Sequence, residues 1–338
     1  MPSSSEPVAD KHTPSQETPE SGKENPGPKH PRFAGVDLGT NSIRLLVAEL
    51  RPNQQLEPLL RLGESCRLGE GLETHGVIMP EAEERATRTL QNFVRRARSL
   101  KPQAIAVAAT HALRSASNGS EVAARLSRAV DLPVEVLSGE DEARMVYGAV
   151  RHALGPDRLV EPCLVLDIGG GSVELVRGDQ NGVTSWVSLD LGCVRLSERF
   201  LVGDPPIPEE LSRLETHVRS ALAQHSEIFE DLKGGAGVGG TLTAMAALNL
   251  GLVRYEAGRV EGHVLDPVSI DRWSRQLAAL TIQERTHLPA VGPGRADIIV
   301  AGCSILKAVL AASQLDQMTV STRGLRYAVV RRLAEREG

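Results

Sequence analysis

The chain has 338 residues, enough for two domains of ordinary size or one large one. Apolar residues make up 41% and charged residues 24%, so a core is expected, while 3% aromatics argue against aromatic-lined sugar clefts and stacking platforms for single-stranded nucleic acid. The net charge of −5 leaves no global basic field for duplex DNA, so a polyanionic ligand needs basic residues concentrated locally. No stretch approaches 18 consecutive apolar residues, so neither a membrane span nor a membrane partner is expected. The N-terminus shows no basic region followed by an apolar one, hence no secretory signal. Cys66, Cys163, Cys193 and Cys303 are widely spaced without a CxxC, which speaks against a zinc site or disulfide framework and for a reduced, cytoplasmic setting.

Residues 1–31 read as a disordered tail. They carry 7 of the 20 prolines and almost no large apolar side chains, too little burial to offset the entropy of ordering. From Arg32, RFAGVDLGTNSIRLLVAEL reads strand, turn, strand, and LEPLLRLGESCRL offers a third strand. PEAEERATRTLQNFVRRARSLK has Ala86, Leu90, Phe93, Val94 and Ala97 at helical spacing. A buried strand at 104–110, a helix in EVAARLSRAV and a strand in VEVLS follow. CLVLDIGGGSVELVRGDQ then repeats strand, turn, strand, with further strands at 183–189 and 236–238. DIIVAGCSILKAVLAAS and RGLRYAVVRRLAERE read as helices around a strand in MTVST.

The pattern thus contains a coarse duplication. Asp37-Leu38-Gly39-Thr40-Asn41-Ser42 matches Asp167-Ile168-Gly169-Gly170-Gly171-Ser172. Each turn ends an apolar strand with an acid and supplies glycine where the backbone must approach a ligand. Successive N–H groups in such turns form an anion-binding concavity, hydroxyls add donors, and the acids can position Mg²⁺ or its waters. One such turn alone would read as an ordinary tight hairpin; two copies at equivalent places favour a phosphate clamp. Gly237-Val238-Gly239-Gly240-Thr241-Leu242 lies between an apolar run and a helix. It lacks the Rossmann spacing and reads as a third wall, through Gly239, Gly240 and Thr241.

Two D-x-G turns with a G-x-G-G-T segment resemble the acetate and sugar kinase, heat-shock protein and actin superfamily. Within it the chain resembles the exopolyphosphatase and guanosine pentaphosphate phosphohydrolase family. The resemblance rests on VDLGTNSIRLLV, RLGEGL at 67–72, ATHALRSA at 109–116, VLSGEDEARMVYGAV at 136–150, VLDIGGGSVELV, LGCVRLSERF, GVGGTLTA, RADII and VSTRGLRYA, in the family's order. It implies two actin-like (ribonuclease H-like) α/β domains, at 32–137 and 138–321, with the site between them. Residues 322–338 are expected to pack back on the first domain. The chain looks like the short form, without a helical C-terminal extension, and dimers are common in the family.

The resemblance also assigns roles. Glu142, the acid before Ala-Arg in SGEDEAR, becomes the general base; read locally, Ser138 and the acids after it are a helix start. Asp167 and Glu174 become Mg²⁺ and water partners, and Asp37 is the equivalent acid on the first turn. Arg44, Arg67 and Arg114 are phosphate ligands or, on the other reading, ion-pair residues. Arg295 and Asp297 match the family pattern and can equally be a structural pair. His263 follows Gly262 where the family has His-Gly, and the histidines show no H-x-x-x-H pair. The implied activity is Mg²⁺-assisted hydrolysis of a terminal phosphoanhydride, of inorganic polyphosphate, guanosine pentaphosphate or both. The alternatives are a sensor without turnover and a kinase of the same fold.

Overall fold

The computed structural model describes residues 30–337. Residues 1–29, which hold nearly all of the expected tail, lie outside the described residues. Two mixed sheets carry the molecule. In the first, β1 (Arg32–Leu38), β2 (Ser42–Leu50), β3 (Leu56–Ser65), β4 (Ala104–Ala109) and β5 (Val134–Val136) lie in the order β3-β2-β1-β4-β5. In the second, β6 (Cys163–Ile168), β7 (Val173–Asp179), β8 (Gly182–Leu189), β9 (Gly234–Gly239), β10 (Val264–Leu265) and β11 (Met318–Val320) give β10-β11-β9-β6-β7-β8.

The duplication read from the sequence is a duplication of topology. The run β3-β2-β1-β4-β5 matches β8-β7-β6-β9-β11: an antiparallel meander of three strands, then two parallel neighbours. β1 and β6 sit inside their sheets and are buried along nearly their whole length, as continuous apolar runs require. Each loses full burial one residue before its end, at Asp37 and Asp167. β3, at a sheet edge, alternates half-buried and exposed positions over most of its length instead.

Helices cover both sheets. Pro80–Ser99 starts on Pro80, whose fixed φ suits a first helical position, and buries the expected Ala86, Leu90, Phe93, Val94 and Ala97. With Gly119–Val130 it closes one face of the first sheet. The last helix, Leu325–Glu337, lies on the other face, over β1, β2 and β4. Gly139–Leu154 packs between that helix and β7–β8. Ile299–Ser313 is buried nearly all round, and so belongs inside the second half. The sequence reading does not anticipate helix Pro267–Ala279 or the short helix His111–Ser115. Among the described residues no helix is long and apolar enough to cross a membrane.

Candidate active site

Two hairpins of the same construction face each other. The Gly39 N–H donates to the Ser42 carbonyl at 3.1 Å, and the Gly169 N–H to the Ser172 carbonyl at 3.0 Å. The strand registers are the same too: Asp37 stands opposite Arg44, and Asp167 opposite Glu174. The copies therefore differ in the charge at one matched position. The parallel neighbours also match, since β4 ends with Ala109 beside Leu38 and β9 with Gly239 beside Ile168. Thr110-His111 thus occupies in the first half the place of Gly240-Thr241 in the second. Gly239 has φ +98°, and a Cβ there would lie 2.7 Å from the Ile168 carbonyl.

The tips of the turns touch. Gly170 lies against Thr40 and Asn41, and Gly171 against Thr40 and the His111 ring. The N–H groups of Thr40, Asn41, Gly170 and Gly171 reach no acceptor among the described residues, and the buried Oδ1 of Asn41 receives no donor. Between the tips is a cavity of about 80 Å³. Gly39, Thr40, Asn41 and Ser42 line it from one side, and Gly169, Gly170, Gly171 and Ser172 from the other. Gly239, Gly240 and Thr241 form the third wall, and Asp37, Arg44, Glu142, Asp167 and Glu174 line the cavity as well.

Glu142 ends the first turn of helix Gly139–Leu154. Ser138 caps that helix as expected, its Oγ accepting the Asp141 N–H at 3.0 Å. Glu140 and Asp141 face solvent or nearly so, but Glu142 turns inward and is only 6% exposed. Arg114 Nη1 donates to Glu142 Oε2 at 2.9 Å and to the Leu137 carbonyl at 2.9 Å, so the guanidinium is itself fixed. Glu174 is 1% exposed, and its Oε1 accepts from Ser172 Oγ at 2.7 Å and Ser188 Oγ at 2.9 Å.

These carboxylates line one cavity. Burial, then the charge of Glu174, holds Glu142 well above the usual carboxylate range, with Arg114 pulling the other way. Burial raises Glu174 and Asp37 as well, and pushes Asp167 up to about 7 with Glu174 adding to it. Such a group takes up and releases a proton near neutral pH, which suits acid–base chemistry. His111 is driven down to about 4 by burial, so it meets the second turn as neutral imidazole.

A stability prediction follows from Asp167. Its folded-state pKa lies above its unfolded value, so the folded state binds the extra proton. The stabilisation is complete below about pH 4 and is lost as pH rises through about 7. In thermal unfolding of the ligand-free protein, Asp167→Asn should flatten this fall in Tm; an unchanged pH profile would show that Asp167 titrates normally.

The arginines divide between the two readings. Arg67 does not line the cavity: Nη1 and Nη2 hold Asp297 at 2.6 and 3.0 Å, across 230 positions of sequence. Arg295 and Asp297 are consequently not a pair. Arg295 is freed to face the cleft, its guanidinium against Gly240. Arg114 acts on the cavity only through Glu142. His263 is away from the site, bonded to Asn249 at 3.0 Å. Thr110, His111 and Arg295, with Ile168, Cys193, Ile298 and Leu325, are the lining residues that the sequence reading does not place there. Thr110 and His111 lie in the ATHALRSA segment, and only the strand register equates them with the G-G-T segment of the second half.

The matched hairpins and the cleft between two sheets of duplicated topology define an actin-like α/β protein. Sequence comparison narrows the class: the model of the Ppx/GppA phosphatase family matches residues 46–337, and the chain belongs to that family. Exopolyphosphatase 2 of Mycobacterium tuberculosis is 31% identical over 304 residues, 86% of this chain and 94% of that protein. A solved exopolyphosphatase-like protein superposes with a TM-score of 0.86 at 28% identity, over 92% of this chain and 99% of the other. The Ppx/GppA family member of Aquifex aeolicus gives 0.76 at 30% identity, over 91% and 99%. The protein is therefore a phosphatase, and the cavity at the paired turns is its candidate active site.

Proposed function

We propose that the protein is an exopolyphosphatase, hydrolysing the terminal phosphoanhydride of inorganic polyphosphate with release of phosphate. The observation that carries this reading is the set of unused N–H groups at the two touching turns, beside a buried carboxylate held by an arginine. Hydrolysis needs a fixed terminal phosphoryl group, neutralised charge and an oriented water. The turns supply the first, through Thr40, Asn41, Gly170 and Gly171. Arg44 and Arg295 line the same cavity and contribute to the second. Glu142 supplies the third, accepting the proton of the attacking water while Arg114 holds its carboxylate in place.

The donors also fit Mg²⁺. Asp167 and Glu174 stand side by side across β6 and β7, with Asp37 at the matching place on β1. Among the described residues no group of three or more His, Cys, Asp or Glu could hold an ion alone. That pattern suits a hard cation that takes one or two carboxylates and completes its shell with water and substrate phosphates. Bound there, Mg²⁺ would neutralise phosphate charge. Asp167 and Glu174 would hold it, and their raised pKa values would fall. The four buried, unpaired cysteines support a reducing compartment.

The test is steady-state phosphate release with Mg²⁺, from long-chain polyphosphate and from guanosine pentaphosphate side by side. Release from polyphosphate, absent in Glu142→Gln, is the expected result. Release from guanosine pentaphosphate alone would move the substrate to the nucleotide. Release from neither, with binding retained, would sink the hydrolase reading.

A further inference from the structure

We propose that Arg195 is a positioning residue: it joins the two segments that hold the paired turns in place, and so ties the geometry of one turn to that of the other. The proposal deepens the hydrolase reading and rests on it for the role of the turns. RLGEGL at 67–72 follows β3, and LGCVRL at 191–196 follows β8, the third strand of each meander. The two segments are therefore a further matched pair in the duplication. Each reaches back to the turn of its own half. The Gly69 and Arg67 N–H groups donate to the Thr40 and Asn41 carbonyls, both at 2.9 Å. At the start of helix Cys193–Phe200, the Cys193 N–H donates to the Gly169 carbonyl at 3.0 Å, and the Val194 and Arg195 N–H groups donate to the Gly170 carbonyl at 2.9 and 3.3 Å. A trans peptide sets its N–H opposite its carbonyl. Holding the carbonyls of Thr40, Gly169 and Gly170 from behind thus turns the N–H groups of Asn41, Gly170 and Gly171 the other way. These are three of the four turn N–H groups that reach no acceptor among the described residues.

The two segments also meet each other, and Arg195 is where they meet. Its Nη1 lies 2.7 Å from Oε2 of Glu73, the residue after RLGEGL. Its Nη2 lies 3.4 Å from His111 Nε2. His111 is a neutral imidazole, so Nε2 can accept that bond with the proton on Nδ1. The same ring is packed on the second turn, since a Cβ at Gly171 would lie 2.1 Å from His111 Cδ2. The Gly71 N–H adds a bond to Glu198 Oε1 at 3.2 Å. Arg195 thus reaches the second turn through its backbone, the first half through Glu73, and the back of the turn through His111. Its side chain is 19% exposed and that of Glu73 28%, and neither lines the active-site cavity. The space behind the tips is nearly filled, with a void of about 10 Å³ bounded in part by Thr40, Gly69, Glu73, His111, Gly171 and Arg195. A shift at Arg195 is therefore passed on to Thr40 and Gly171 instead of being absorbed.

The test is calorimetric binding of inorganic phosphate with Mg²⁺, together with turnover of long-chain polyphosphate and thermal unfolding. Arg195→Gln and Glu73→Gln should each weaken phosphate binding about tenfold and lower kcat/KM by a similar factor. Their Tm should stay close to that of the parent, because a half-exposed ion pair adds little stability. The pH at which the rate rises, set by Glu142, should not move. The double variant should be no worse than Arg195→Gln alone, since both changes cut the same link. Arg125→Gln is the control: it breaks the exposed two-bond pair with Glu83 inside the first half and should leave phosphate affinity as it is. Phosphate affinity unchanged in both single variants, losses that add in the double variant, or a lowered Tm with affinity intact would overturn the positioning role. A parent that binds phosphate but releases none from polyphosphate would remove the hydrolase, and the binding comparison would still decide the role of Arg195.

Discussion

Glu142→Gln is expected to fold as the parent chain does and to lose turnover by a factor of roughly 10²–10⁴. The glutamine is isosteric, and its carbonyl can still accept from Arg114, which now bonds Oε2 at 2.9 Å. What it lacks is a proton-accepting oxygen. It also removes one negative charge from a space shared with Glu174 and Asp167, where burial raises all three carboxyls and the charges of Glu174 and Asp167 raise Glu142 further. Its Tm at about pH 8 should therefore be no lower than that of the parent, and higher if the repulsion is felt in full. The pH–rate profile gives an independent reading. As the proposed base, Glu142 would work deprotonated, and burial holds it above the usual carboxylate range, so the rate of the parent should climb with pH beyond that range. The climb should vanish from the residual rate of the variant. A variant with the parent rate, or a parent rate flat from pH 5 to 8, removes Glu142 from the mechanism.

Gly192→Ala should cost about 1–3 kcal/mol of stability and a larger share of the activity. A Cβ at Gly192 would lie 2.2 Å from the Gly171 carbonyl carbon, and 2.3 Å from the carbonyl carbon and oxygen of Gly170. All three are backbone atoms at the tip of the second turn, with no flexible end to swing aside. The Gly192 N–H also donates to the Gly171 carbonyl at 3.2 Å. Relief of the clash must move the tip itself, against Thr40, Asn41 and His111 on the far side. Gly148→Ala is the control. It lies within helix Gly139–Leu154 with nothing within 4 Å of the added carbon, and should gain about 0.5–1 kcal/mol from helix propensity. Denaturant unfolding and phosphate release on the two variants read both effects. A Gly192→Ala protein as stable and as active as the parent would show that the turns need not touch.

Much of the fold could be read because it is local. β1 and β6 announce themselves as continuous apolar runs, and helix Pro80–Ser99 as a 3.6-residue period. The duplication was visible because each turn writes Asp, Gly and Ser at fixed offsets. Glu142 stands out only through the family resemblance of its segment; local chemistry explains no more than the cap at Ser138 and the acids beside it. The arginines were harder, since a guanidinium reaches far and its partner can be anywhere in the chain. Arg67 meets Asp297 across 230 positions, and nothing near either residue encodes that choice. The freeing of Arg295 depends on it. His111 was hidden for another reason: its match in the second half, Thr241, has a different side chain and only the strand register equates them.

The matched hairpins have one more consequence. Where β2 carries Arg44, β7 carries Glu174, so a single divergence between the two copies gives the cleft a direction. One flank is lined by positive charge and the other by Glu174 and Glu142. On the proposed exopolyphosphatase reading, an anionic strand that enters is drawn along the first flank and turned back at the second, which favours end-by-end trimming over random scission.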